Sequence, residues 1–135
     1  MAEQVLTNAH LTVNSVNLSD HVRSITLRYA ADLQDITAMS DTTRNRLGGL
    51  KDWSFDVEFN QDFAAANVDA TLFPIVGSSV AIIVRPDAGA VSATNPNFTG
   101  NAILESYQPV GGAVGDAHTT TVTFQGNGTL TRATA

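Results

Sequence analysis

Residues Asp52 to Asn60 alternate without a break between apolar and polar side chains. Trp53, Phe55, Val57 and Phe59 fall on one phase, and Asp52, Ser54, Asp56, Glu58 and Asn60 on the other. Successive side chains of a β-strand point to opposite faces, so a period of two calls for a strand with one buried and one wet side. On a helix the same four apolar residues would be scattered around the circumference. Trp53, Phe55, Val57 and Phe59 are therefore the expected core row. Fully burying a side chain of this kind is worth about 1.5–3 kcal/mol, enough for this one strand to organise a sheet.

The same period recurs along the chain. Ile25, Leu27 and Tyr29 alternate with Ser24, Thr26 and Arg28 within Arg23 to Tyr29. Short strands are expected at His10 to Val13 and Val16 to Leu18, on either side of an Asn14-Ser15 turn. Further strands are expected at Val80 to Val84, Asn101 to Gln108, Thr119 to Gln125 and Gly128 to Arg132. Val80 to Val84 is apolar on both phases, as in an interior strand. Helical spacing occurs once, where Phe63, Val68, Leu72 and Phe73 recur within Asp62 to Val76. Pro74 should end that helix near Leu72, and Gly77 marks the stop. Asp87 to Asn97 and Pro109 to Ala117 read as loops, and Ala30 to Leu50 as a long polar one closed by Gly48-Gly49. The expected architecture is mainly β: an antiparallel sandwich or barrel, one domain over 1–135, with one packed helix and a long inter-strand loop at 30–50.

Composition narrows the function classes. Charged residues make up 15% of the 135-residue chain, against about a quarter in ordinary soluble domains, which suggests surface reserved for partners. Seven Lys and Arg stand against thirteen Asp and Glu, for a net charge of -6. Gripping nucleic acid needs clustered cations, which are absent here beyond the loose group Arg44, Arg46 and Lys51. The sequence holds no cysteine, so neither disulfides nor thiolate metal sites enter. No basic n-region with an apolar h-region opens the chain, and no apolar run reaches membrane-spanning length. The expectation is a soluble protein without a membrane partner, retained in the cell that makes it.

Catalytic chemistry finds no foothold in the motifs. His10, His21 and His118 lack metal-ligand spacing, and Asp32, Asp35 and Asp41 do not match an EF-hand loop. Asp116 and His118 have no serine in a nucleophile elbow to complete a triad. Gly111 to Asp116 lacks the lysine of a phosphate loop. Asp52, Asp56 and Glu58 are read as the wet side of the aromatic strand and not as an acid/base pair. No catalytic, metal or cofactor-binding residues are therefore expected, and no enzyme.

Several segments carry a resemblance. The strand Val22-Arg23-Ser24-Ile25-Thr26-Leu27 is followed by Asp41-Thr42-Thr43-Arg44-Asn45-Arg46-Leu47-Gly48-Gly49-Leu50-Lys51-Asp52-Trp53-Ser54-Phe55. An Ala-rich helix, the strand Val80 to Arg85, Asn97-Phe98-Thr99-Gly100-Asn101-Ala102 and a terminal Val122-Thr123-Phe124-Gln125-Gly126-Asn127-Gly128 come next. From about Leu18 onward this resembles the major tail tube proteins of long, non-contractile-tailed (siphovirus-like) bacteriophages. The segment Thr42 to Phe55 is its most specific part.

The resemblance implies a structural virion protein, made in the host bacterial cytoplasm and located in the virion tail. It implies self-assembly into hexameric rings stacked as a tube, contact with other tail proteins, and double-stranded DNA passing through without specific binding. Four strands from each of six subunits would give a barrel of about 24 strands, on the order of 50 Å across its backbone. On that reading Asp56, Glu58, Thr119, Thr121 and Thr123 face the lumen, where an acidic lining repels phosphates. Asp41, Thr42, Arg44 and Arg46 lie in a loop that orders against the next ring. The alternatives are a capsid decoration or other virion β-sandwich protein, and a small β-sandwich binding module for a ligand such as carbohydrate. The latter would display exposed aromatics, whereas Trp53, Tyr29 and Tyr107 all fall on inward phases.

Overall fold

Eight strands carry the fold in the computed structural model, which describes residues 3, 5–65 and 67–134. They are β1 (His10–Val13), β2 (Val16–Asn17), β3 (Val22–Asp35), β4 (Arg46–Asn60), β5 (Ser79–Arg85), β6 (Asn97–Tyr107), β7 (Thr119–Gly126) and β8 (Thr131–Ala133). Among the described residues a single α-helix, α1 (Val68–Leu72), runs into a 3-10 turn at Phe73–Ile75. Ala66, inside the stretch expected to be helical, lies outside the described residues, as do the chain ends of the 1–135 expectation.

All strand pairings are antiparallel, in the order β2-β1-β5-β6-β7-β4-β3, with β8 paired to β6. This is the mainly β, antiparallel class expected from the alternation. β6 is the spine. One of its edges pairs with β5 along Phe98 to Ile103, while the other takes β8 near Asn97 and β7 near Tyr107. β7 and β8 thus follow one edge of β6, interrupted by an arch at 127–130. Asn14 and Ser15, both at positive φ, make the tight β1–β2 turn.

The core gathers on one side of this bent sheet. Trp53, Phe55, Val57 and Phe59 are buried, packed with Val122 and Phe124 of β7, Ala102 and Leu104 of β6, and Leu11 and Val13 of β1. The rings of Phe55 and Phe124 stack at 4.6 Å between centroids. Val68, Leu72 and Ile75 bring α1 and its following turn onto the same core. α1 stops at Leu72 because Pro74 has no N–H for a further helical bond.

Four expectations need correction. Ala30 to Leu50 is not a long loop: 30–35 and 46–50 are strand, and only 36–45 connects them. Gly48-Gly49 does not close a loop: Gly49 sits at a register shift of the β3–β4 ladder, between Ala31 and Leu33. A Cβ there would come within 2.8 Å of the Asp32 carbonyl oxygen, so glycine serves the ladder rather than ending it. Second, Phe63 and Phe73 do not join Val68 and Leu72 in the core, because Phe63 precedes the helix and both rings are exposed. Third, Tyr29 is exposed although it pairs with the buried Trp53, because it lies on β3, the last strand of the order. Fourth, Ala81 of β5 is exposed, so that strand is not buried on both faces.

Candidate assembly interface

The polar phases of three strands, well separated in sequence, meet on one face. Register pairs Thr26 with Asp56 and Ser24 with Glu58, then Asp56 with Thr123, Glu58 with Thr121 and Asn60 with Thr119. Asp56, Glu58, Thr119, Thr121 and Thr123 are therefore neighbours on the side opposite the aromatic row. β6 extends the face, with Glu105 accepting a bond from Gln125 Nε2 at 3.0 Å.

This face is less acidic than its sequence suggests. Arg28 places a guanidinium nitrogen 2.8 Å from Asp56 Oδ2, and Arg23 places one 3.1 Å from Glu58 Oε1. Thr123 Oγ1 donates to Asp56 Oδ1 at 2.9 Å. The bonds from Arg28 and Thr123 hold the Asp56 carboxyl below its ordinary range. Two guanidinium groups thus stand against the carboxylates of Asp56, Glu58 and Glu105. Arg23 and Arg28 are separated from Glu58 and Asp56 by about thirty positions, so only the ladder register reveals the pairs.

β3 ends the strand order, and among the described residues its outer edge has no partner along all 14 residues. Unpaired edges of this length are templates for another strand, and monomeric proteins shorten or block them.

Beyond Ser54, β4 loses β7 as a neighbour and continues with β3 alone. Every residue from Arg28 to Asp52 is exposed. The result is a two-stranded arm reaching about 20 Å past the body, at about 3.3 Å per residue. Its tip is built, not loose. Ile36 N–H donates to the Asn45 carbonyl at 2.9 Å, and Asn45 N–H to Thr37 Oγ1 at 2.8 Å. Asp41 Oδ2 accepts from Ala38 N–H at 2.8 Å and from Asn45 Nδ2 at 3.0 Å. Arg44 pairs with Asp35 at 2.7 Å. Asp41 and Arg44 are thus spent within the tip, Thr42 is exposed beside them, and Arg46 opens β4. Sequence reading missed the arm's apolar surface: Leu33, Ile36, Met39, Leu47 and Leu50 are all exposed. Their signal was the leucine spacing within a stretch whose charges and glycines dominated the reading.

Among the described residues no three His, Asp or Glu side chains are grouped to hold a metal. The His118 ring packs on Phe63 with 5.6 Å between ring centroids.

No family model matches the chain, and no curated protein matches it. Solved structures do match, end to end. A chain in the virion of a native gene transfer agent (GTA) particle superposes with a TM-score of 0.79 at 16% identity, covering 97% of this chain and 99% of the other. A chain from the tail of an empty GTA particle, determined with C6 symmetry, gives 0.72 at 18% identity over 95% of each. A chain of the six-fold symmetrised baseplate of an anti-feeding prophage gives 0.56 at 8% identity, covering 98% of this chain and 97% of that one. The fold is shared with chains of these virion, tail and baseplate structures. At these identities it is the fold that is shared.

Proposed function

We propose that this chain is a structural tail protein that assembles into hexameric rings, and that the rings stack into a tube through which double-stranded DNA leaves a virion. The observation that carries this reading is the open 14-residue edge of β3, beside a wide polar sheet face. An edge of that length is satisfied by a strand from a second copy. Repeating the contact around a closed ring leaves no edge open. β3, β4, β7 and the C-terminal part of β6 are adjacent and share the polar face, which supplies four strands per subunit to such a ring. The fold match to chains of a C6-symmetric GTA tail supports six copies.

On this reading Asp56, Glu58, Thr119, Thr121 and Thr123 line the lumen. Paired charges and hydroxyls give a hydrated wall with no cationic stripe, so DNA slides past without the counterion release that would hold it. The arm, including Asp41, Thr42, Arg44 and Arg46, reaches a neighbouring subunit. A two-stranded ribbon is marginal by itself, and its exposed leucines gain from being covered.

Sizing chromatography followed by electron microscopy tests the proposal. Annular particles or tubes are expected from the full chain, and short rings without long tubes once 37–44 are replaced by a two-residue turn. A chain that stays monomeric at every concentration, inside or outside a virion, would overturn it.

A further inference from the structure

Of the asparagines in the chain, only Asn127 is followed by glycine. The pair sits in the arch between β7 and β8, outside any strand, and both residues are exposed. Gly128 holds φ at +107°, a conformation that glycine adopts and other residues avoid. A Cβ built on it would meet nothing within 4 Å, so the space beside its main chain is open. Among the described residues the Gly128 N–H donates to no acceptor.

The groups around this nitrogen are held. Asn127 N–H donates to the Asn101 carbonyl at 2.8 Å, and Asn127 Nδ2 to Ser79 Oγ at 3.2 Å. The Gly128 carbonyl accepts from the Trp53 indole at 3.0 Å. These bonds leave the Gly128 nitrogen and the Asn127 amide carbon unengaged.

We propose that Asn127-Gly128 is a site of spontaneous deamidation, at which the arch converts to a β-linked aspartyl backbone and releases Trp53. The Gly128 nitrogen gives its proton to hydroxide and bonds to Asn127 Cγ. The Cγ–Nδ2 bond breaks, and the nitrogen leaves as ammonia with a proton from water. Water then opens the five-membered ring at either carbonyl. One opening leaves an ordinary aspartate. The other routes the main chain through the side-chain carbonyl and frees the α-carboxylate. That route adds one carbon–carbon bond, about 1.5 Å, between the N–H bonded to Asn101 and the carbonyl bonded to Trp53. Hydrogen bonds of ordinary length do not stretch that far, so one of the two is lost. Trp53 is the sole tryptophan and is 4% exposed, so its emission reports the break. The site is independent of the tube reading, since it needs only the free chain.

The full chain, held in warm, mildly alkaline buffer and sampled over weeks, tests the proposal. Isoelectric focusing should show a species more acidic by a single charge, and peptide mapping should place the change at Asn127. An isoaspartyl carboxyl methyltransferase should methylate that species, and its Trp53 emission should shift to the red. Freshly purified Asn127→Asp carries the same added charge on an ordinary backbone and should keep the parent emission. Asn127→Gln should give no such acidic species, because its ring would need a further atom. A chain that stays unconverted while an unstructured peptide of residues 125–129 is consumed would overturn the site, as would conversion confined to Asn14. A methylated fraction with the parent's Trp53 emission would overturn the release of Trp53.

Discussion

The indole of Trp53 lies so close to Gly126 that a methyl group built on that glycine would overlap the ring. The indole N–H donates to the Gly128 carbonyl at 3.0 Å, so Trp53 braces the arch where β7 breaks before β8. A Cβ on Gly100 would come within 2.8 Å of the same ring. Gly126→Ala should therefore cost about 1–3 kcal/mol through overpacking, although alanine is ordinarily the easier residue to order. Trp53→Ala should cost about 3–5 kcal/mol. Urea or thermal unfolding measures both, and a Gly126→Ala protein as stable as the parent would contradict the packing.

Asp56 gives the stability a pH dependence on the acid side. Its carboxyl is held below the ordinary value first by the bond from Arg28, then by that from Thr123. A lowered folded-state pKa contributes stability that is present above the ordinary carboxylate value and is lost as pH falls through the lowered one. The window therefore lies below about pH 4. The pair is solvent-exposed, a class worth about 0.2–1 kcal/mol, so the effect on Tm should be a few degrees at most. Asp56→Asn should lower Tm near neutrality and flatten the acid slope between pH 5 and pH 2. An unchanged slope would show that the bond does not form in solution.

Tyr107 acts at the alkaline end. Burial, with Asp69 close by, pushes its phenol up to about 12, and Gln61 Nε2 donates to its oxygen at 2.8 Å. An unfolded chain loses this proton near pH 10, so stability should fall between about pH 10 and pH 12 as the folded state alone retains it. Tyr107→Phe should remove that part of the decline and cost about 1 kcal/mol at pH 7 through the lost hydrogen bonds. Chemical denaturation at pH 7, 10 and 11 checks both parts.

Reversing the carboxylates of the polar face tests what that face is for. Asp56→Lys with Glu58→Lys would release Arg23 and Arg28 and set four cations together on each subunit. Rings and tubes should still form, because neither carboxylate lies on the open edge or in the core. DNA should be retained, with binding that weakens steeply as salt rises, and ejection should slow. Ejection at the parent rate would contradict a lumenal position for the face.

Much of the body was legible in the sequence because burial imposes a period of two wherever a strand has one wet side. Asp52 to Asn60 and Thr119 to Gln125 sit in strands β4 and β7, and Pro74 marks the end of α1. The arm was not legible for the same physical reason. With no core beneath either face, 30–35 and 46–50 carry no alternation, and their charges and glycines mimic a loop. Strand pairing was equally hidden. The ion pairs Arg28–Asp56 and Arg23–Glu58 depend on a register that includes a shift between Val22 and Ser24, and nothing local to either strand announces it.

Cryo-electron microscopy of particles assembled from the purified chain tests the account most directly. It predicts six-fold rings in which the open edge of β3 pairs with a strand of the adjacent subunit, and Asp56, Glu58 and Thr121 face the central channel. A ring with those three residues on its outer wall, or a β3 edge left unpaired in the assembly, would contradict it.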